Sequence, residues 1–297
     1  MDYTHAKPKG EKKKLSIEPY LYVGISLVIL TVFMFYPFLQ TLIRSSFLTD
    51  AFGRNVKFLG LGNYVSLFTS KSFWNSLIVT LKFVFIVCVS GIGIGFLTAI
   101  LCQKTFPGIS FFTTSYAMPM AIASAGMAMI FSVMLNPSVG IVNKIFQTSQ
   151  NFLTNPTLAL ISVGILTGWL NSGMNFLYFS SGLASIDDSL YESAQVDGAN
   201  SWQEFRHITV PSLRPILFFV VVTNIINAFQ AFGQINILTR GGPGESTNVI
   251  VYDIYRQAFM NYKYGFASAE SVVFFLIVMA LTILMFALRK RRNRING

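Results

Sequence analysis

Few residues in this chain have a type suited to covalent chemistry, and none is spaced for it. There are two histidines, His5 and His207, and two cysteines, Cys88 and Cys102. Neither histidine has cysteine, histidine or carboxylate neighbours at the spacing of a metal site. On one helix the two cysteines would stand about 21 Å apart, too far for a disulfide. GGPGEST at residues 241–247 has the glycines of a phosphate-binding loop but not the lysine that should follow, and reads as a turn. No nucleophile elbow and no carboxylate pair within an apolar run stands out. No catalytic residue, metal site or cofactor is implied.

The chain offers neutral amides and hydroxyls inside very apolar surroundings. Thr167, Asn171 and Asn175 recur at i, i+4 and i+8, which puts them on one helical face. Asn224, Asn227, Gln230 and Gln234 repeat the pattern further on. Buried amides cost several kcal/mol unless hydrogen-bonded. They serve either as interhelical glue or as the lining of a path for a neutral, polyhydroxylated solute. The charged side chains near the apolar runs, Lys82 and Glu270, fall close to the run ends and can snorkel to the headgroups, so no proton relay is expected.

The elements that position these groups follow from composition. Hydrophobic residues make up 53% of the chain and charged residues 11%, with a mean hydropathy of +0.57, far from a soluble domain. Apolar runs near 20 residues span a bilayer as helices, which alone satisfy their own backbone there. Six are read: residues 19–37, 78–102, 109–135, 157–183, 215–239 and 271–288. The expected fold is all-α and polytopic, with six transmembrane helices. Gly91 and Gly95 have the GxxxG spacing of close helix packing, and Pro119 should kink the third run. Residues 38–76 make the longest connection.

Residues 1–16 carry Lys7, Lys9, Lys12, Lys13 and Lys14, and residues 291–297 carry Arg291, Arg292 and Arg294. Six spans put both basic tails on one side, the cytoplasmic side of a plasma membrane. The net charge of +10 is explained by this topology and needs no nucleic acid.

An acid-rich island at residues 184–214 then also faces the cytoplasm. It holds Asp187, Asp188, Glu192, Asp197 and Glu204 among the 12 acidic residues of the chain. Asp187 and Ser189 are caps for a helix to about Val196, with Ser189 and Glu192 as a capping box. Gly198 supplies the left-handed turn that ends it. Ser201 with Glu204 reads as a second box, opening a helix that Pro211 stops near Thr209.

YESAQVDGANSWQEFRHITVP, residues 191–211, resembles the EAA loop of binding-protein-dependent ABC import permeases. Glu192, Ala194, Gly198, Ile208 and Pro211 fall at that motif's spacings, while Ser193 and Val210 replace an alanine and a leucine. FLGLGNYVSLF, FPGIS, LTRGGPGEST and YGFASAESVVFF extend the likeness over nearly the whole chain. They are similar to the carbohydrate-type permeases, above all to the subunit resembling the larger maltose-permease chain.

The resemblance implies a type I importer permease occupying residues 17–290. Its partners would be a second six-span permease subunit in a heterodimer, cytoplasmic ATPase subunits, and an extracytoplasmic solute-binding protein that delivers a sugar. ATP hydrolysis would belong to the separate ATPase. Coupling would run through Glu192, Ser193, Ala194, Asp197, Gly198, Ile208 and Pro211. The family's sugar contacts fall near Thr167, Asn171, Asn224, Asn227 and Gln230, which moves those amides towards the pathway reading. Two alternatives are another polar solute, such as a glycerol-phosphate ester, and a stand-alone secondary transporter. The ester would call for basic residues facing the pathway, and the fourth and fifth runs have none.

Overall fold

The computed structural model describes residues 18–103 and 107–295, with side chains within 22–103 and 107–290. The basic residues of 1–16 and the side chains of 291–297 lie outside them, as does Phe106 of FPGIS.

The chain opens with α1 (Glu18–Leu30), a π-turn at Thr31–Phe35, and α2 (Tyr36–Arg44). This first span runs to Arg44 rather than ending at Pro37. In the π-turn the Tyr36 N–H reaches back to the Thr31 carbonyl. The helix therefore restarts with Pro37 in its first turn, where a missing N–H costs nothing. A short antiparallel hairpin follows, β1 (Phe47–Thr49) and β2 (Asn55–Phe58), then α3 (Gly62–Thr69). The expected 38–76 connection thus shrinks to the segment between Arg44 and Lys71.

The second span, α4 (Lys71–Leu101), starts seven residues before the expected 78, so Lys82 sits three turns in, exposed on the helix surface. The third apolar run is not one helix. Ile109–Ala117 forms α5, residues Met118–Ala121 a 3-10 turn, and Ser124–Met134 forms α6, with a bend of 103° across the break. Pro119 removes a backbone donor in that turn, and Ile122 and Ala123 are extended. After the short α7 (Ile141–Ile145) comes α8 (Pro156–Ala184), within a residue of the expected run and capped by Asn155 Oδ1.

The island folds as α9 (Asp188–Val196), α10 (Ser201–Glu204), a π-turn at Phe205–Thr209, and α11 (Val210–Ser212). Then come α12 (Arg214–Phe229), bent 62° from α10–α11, α13 (Gly233–Leu238), α14 (Ile250–Tyr255), a π-turn at Arg256–Met260, and α15 (Tyr264–Ile295). Among the described residues four helices are long and apolar enough to cross a membrane, and up to six if each bent pair counts as one span. The fifth run is broken too: α12 ends at Phe229, so Gln230 and Gln234 do not continue its amide stripe.

α4 and α8 form the centre. A Cβ at Gly168 would strike Ser90 Oγ, one at Gly91 would lie 2.8 Å from the Gly168 carbonyl oxygen, and one at Gly164 2.6 Å from Ile86. Glycine there lets the two backbones touch, as the GxxxG spacing required. Around this crossing pack Phe83, Val87, Val163, Leu166, Phe229 and Ile235, all nearly solvent-free. α1 and α2 bury no residue against the rest of the described chain.

Glu270 departs furthest from expectation. Because α15 begins at Tyr264 rather than 271, Glu270 lies nearly two turns inside the helix and has no exposed surface. It does not snorkel. Its neighbour is the buried Asp253, so the chain does contain a buried carboxylate pair.

Candidate functional site

Between α8 and α12, at the level of the α5–α6 break, lies a cavity of about 420 Å³. Leu170, Asn171, Met174, Asn175 and Tyr178 line it from α8, Thr223, Ile226 and Asn227 from α12, and Met120 from the 3-10 turn. The spacing along α8 is that of one helical face, and Thr223 stands one turn before Asn227 on α12. The break in α5–α6 brings Met120 here. Gly173 makes room for it, since a Cβ at that position would lie 2.9 Å from the Ala117 carbonyl. Among the described residues no carboxylate, ammonium or guanidinium lines the cavity.

The structure divides the sequence's amides into two kinds. Asn175 and Asn224 are buried to 2% and bond each other reciprocally, with Asn175 Nδ2 to Asn224 Oδ1 at 3.0 Å and Asn224 Nδ2 to Asn175 Oδ1 at 2.7 Å. Asn224 Nδ2 also donates to the Val220 carbonyl. These amides have spent their hydrogen bonds holding α8 to α12. Thr167 is buried as well and donates to the Val163 carbonyl, away from the cavity wall. Gln230 caps the end of α12, exposed, and does not line the cavity either. Asn171 and Asn227 remain: Asn227 is exposed, and the Asn171 Nδ2 is enclosed with no partner among the described residues. Tyr178, Thr223 and Met120 were not picked out from sequence. The first two could have been, at i+7 from Asn171 and i−4 from Asn227, whereas Met120 depended on the break.

The island forms a second site. Asp187 caps α9 by accepting the Ser189 N–H at 2.9 Å, so the cap lies two residues before the expected Ser189 box. The Ser189 backbone and hydroxyl together hold the Asp187 carboxyl below its ordinary range. Gly198 has φ +78°, and Ala199 N–H reaches the Ala194 carbonyl while Gly198 N–H reaches that of Gln195, a Schellman close. The second box is Asn200 with Gln203, not Ser201 with Glu204. Pro211 does not stop the helix: the π-turn, closed by Val210 N–H to the Phe205 carbonyl, carries the chain past it to Ser212.

Tyr191 bonds Thr209 across the two arms at 2.9 Å, which fixes their angle. Phe205 packs at a tilt against Phe96 of α4 at 6.2 Å, and Phe96 meets Phe179 of α8 edge to face at 5.1 Å, so the island is riveted to the central crossing. Glu192, Ser193, Asp197 and Gly198 are exposed on the far side, and Ala194, Ile208 and Pro211 are half-buried. Beside them Leu190, Trp202 and Val196 are 50%, 65% and 88% exposed, an apolar surface on an otherwise hydrophilic projection.

A family model described as the inner membrane component of binding-protein-dependent transport systems matches residues 91–294. The sn-glycerol-3-phosphate transport system permease protein UgpA of Agrobacterium fabrum (strain C58) is 34% identical over 281 residues, 93% of this chain and 96% of that one. The protein of the same name from Escherichia coli O157:H7 is 34% identical over 272 residues, 90% and 92% of the two chains. Among solved structures, a chain of a bacterial ABC transporter involved in import of the acidic polysaccharide alginate superposes with a TM-score of 0.80. It is 23% identical, and the match covers 93% of this chain and 97% of that one.

Proposed function

The chain belongs to the family of inner membrane components of binding-protein-dependent transport systems, and from that premise we propose that it is one of two permease subunits of an ATP-driven importer whose cargo is a neutral sugar. The uncharged cavity between α8 and α12 carries the cargo reading. Asn171 and Asn227 offer donors and acceptors to hydroxyls, Thr223 offers only an acceptor because its own proton goes to the Phe219 and Val220 carbonyls, and Met120, Met174 and Ile226 meet the apolar faces of a pyranose ring. A phosphate or uronate would enter without a cation to meet it, a large desolvation cost.

In this reading an extracytoplasmic binding protein releases the sugar into the cavity. A second six-span subunit covers the bare face of α1 and α2. The island faces the cytoplasm with both termini and seats Leu190, Val196 and Trp202 in the cleft of an ATPase subunit. Glu192 and Asp197 stand at the rim of that contact. Closure of the ATPase pair then moves α4, α8 and α12 through the aromatic rivet at Phe205, Phe96 and Phe179. This subunit transports and does not hydrolyse ATP.

The glycerol-phosphate reading is favoured by the names of the relatives alone. Uptake into proteoliposomes containing the assembled transporter separates the readings. Expected is uptake that stops when the ATPase is inactivated and that neutral sugars, but not glycerol-3-phosphate, compete. Uptake that persists with a dead ATPase would return the chain to the stand-alone transporters. Competition by glycerol-3-phosphate alone would overturn the neutral cargo.

A further inference from the structure

The buried pair at Asp253 and Glu270 lies at the end of the bundle opposite the island, by Ser72 at the start of α4. Asp253 is 1% exposed, and its hydrogen bonds fall mostly on one oxygen. Its Oδ1 accepts from Arg256 Nε at 3.1 Å, from the terminal Arg256 nitrogen Nη2 at 2.6 Å, and from Asn248 Nδ2 at 3.2 Å. Its Oδ2 lies 3.5 Å from Ser72 Oγ at the start of α4. The same Arg256 nitrogen reaches Glu245 Oε1 at 2.8 Å and Ser72 Oγ at 3.0 Å. Asn75 Nδ2, one turn on, donates to the Glu245 carbonyl. Arg256 thus ties the 241–247 turn to α4 and α14. Burial works against its charge, but the carboxylates of Asp253 and Glu245 outweigh that and hold it above its ordinary value.

Glu270 abuts Asp253, yet neither of its oxygens receives a hydrogen bond among the described residues. One guanidinium therefore faces three carboxyl groups, and only two are paired with it. A buried carboxylate with no donor, pressed against another carboxylate, is doubly unfavourable. Two carboxyl groups can bond each other only through a proton between them.

We propose that Asp253 and Glu270 share one proton, and that this proton sets whether Arg256 keeps the 241–247 turn latched to α4. With the proton in place, Glu270 is a neutral donor to Asp253, and Arg256 is free to hold Glu245. Loss of the proton to the outside solution leaves Glu270 ionised and competing with Glu245 for the guanidinium, and the turn is released. Other groups facing α15 do not take part. Tyr64 of α3 donates to Ser45, Arg44 of α2 approaches α15 at Gly265 through its backbone carbonyl, and Lys71 and Lys263 are exposed. Tyr252 and Tyr255 approach from α14, and burial raises the Tyr252 hydroxyl above its ordinary value.

The transport arm of the test rests on the importer reading; the spectroscopic arm does not. Infrared difference spectra of the assembled transporter should show a protonated-carboxyl stretch that disappears in Glu270→Gln and persists in Glu245→Gln. In native proteoliposomes, uptake should fall with rising external pH by roughly tenfold per unit beyond the transition, the slope of one proton. Both variants should flatten that profile, Glu270→Gln because it stays neutral and Glu245→Gln because the latch has lost its outer arm. An unchanged stretch in Glu270→Gln overturns the shared proton. A native pH profile in Glu245→Gln, which sits half-exposed and leaves the pair intact, overturns the latch even if Glu270→Gln fails to assemble.

Discussion

Asn224→Ala distinguishes glue from pathway most directly. The substitution removes both interhelical bonds to Asn175, at 3.0 and 2.7 Å, and strands that amide at 2% exposure. Interhelical hydrogen bonds in membranes are worth about 0.6 kcal/mol on average and about 1.7 at most, so two of them give about 1–3 kcal/mol. Asn171→Ala breaks no bond, since its amide nitrogen has no partner, and should stay within about 0.5 kcal/mol of the native chain. The measurement is a double-mutant cycle of Asn175→Ala and Asn224→Ala in the assembled transporter. Its unfolding in denaturing detergent can be followed through Trp169, which lies on α8. A coupling energy of about 1–3 kcal/mol is expected, with the double variant less destabilised than the sum of the singles. Zero coupling, or an Asn171→Ala as destabilised as Asn224→Ala, would refute the division of the amides.

For transport the order reverses: Asn171→Leu and Asn227→Leu should each lower sugar uptake about 3- to 10-fold, one lost hydrogen bond apiece, without loss of assembly on size-exclusion chromatography. Gly198→Val forces a β-branched residue to φ +78°, about 1–2 kcal/mol of strain, and should impair co-purification of the ATPase. Gly198→Asn tolerates that φ and should retain it. Gly168→Ala drives a methyl into Ser90 and the Gly91 backbone and should cost about 1–3 kcal/mol in the same unfolding assay. Gly93→Ala, with nothing within 4 Å of the added carbon, is the unhindered control and should equal the native chain or exceed it by up to about 1 kcal/mol through helix propensity.

The long spans were legible because their signal is length and apolarity. Pro156–Ala184 fell within a residue of expectation, since Asn155 and Pro156 mark its start in the sequence itself. Boundaries failed where a π-turn intervened. The apolar run ends at Pro37 and the sequence reads Pro211 as a stop, but each proline follows a π-turn that moves the ladder past the missing donor. Glu270 failed for a related reason. Reading the sixth helix from its apolar window alone began it seven residues late and put a buried acid at the surface. The amide stripes were found by period, but period cannot say which side chains have already spent their bonds. Asn171 and Asn175 are one turn apart, and only the position of Asn224 separates them.

That separation has a mechanical consequence. A helix pair whose backbones touch at Gly91 and Gly168, and which is bonded to a third helix by a reciprocal amide pair, resists sliding in either direction. α4, α8 and α12 should therefore move as one body when the island is pulled, because Phe205 engages Phe96, and Leu213 and Ile216 pack around Gly182. A body that does not deform cannot open its own cavity. The wall that can hinge is the α5–α6 segment, where two extended residues interrupt the helix and Met120 reaches the cavity from the 3-10 turn. On the proposed reading the satisfied amides and the unsatisfied one have complementary roles, the first making the block rigid and the second offering the cargo a partner on it.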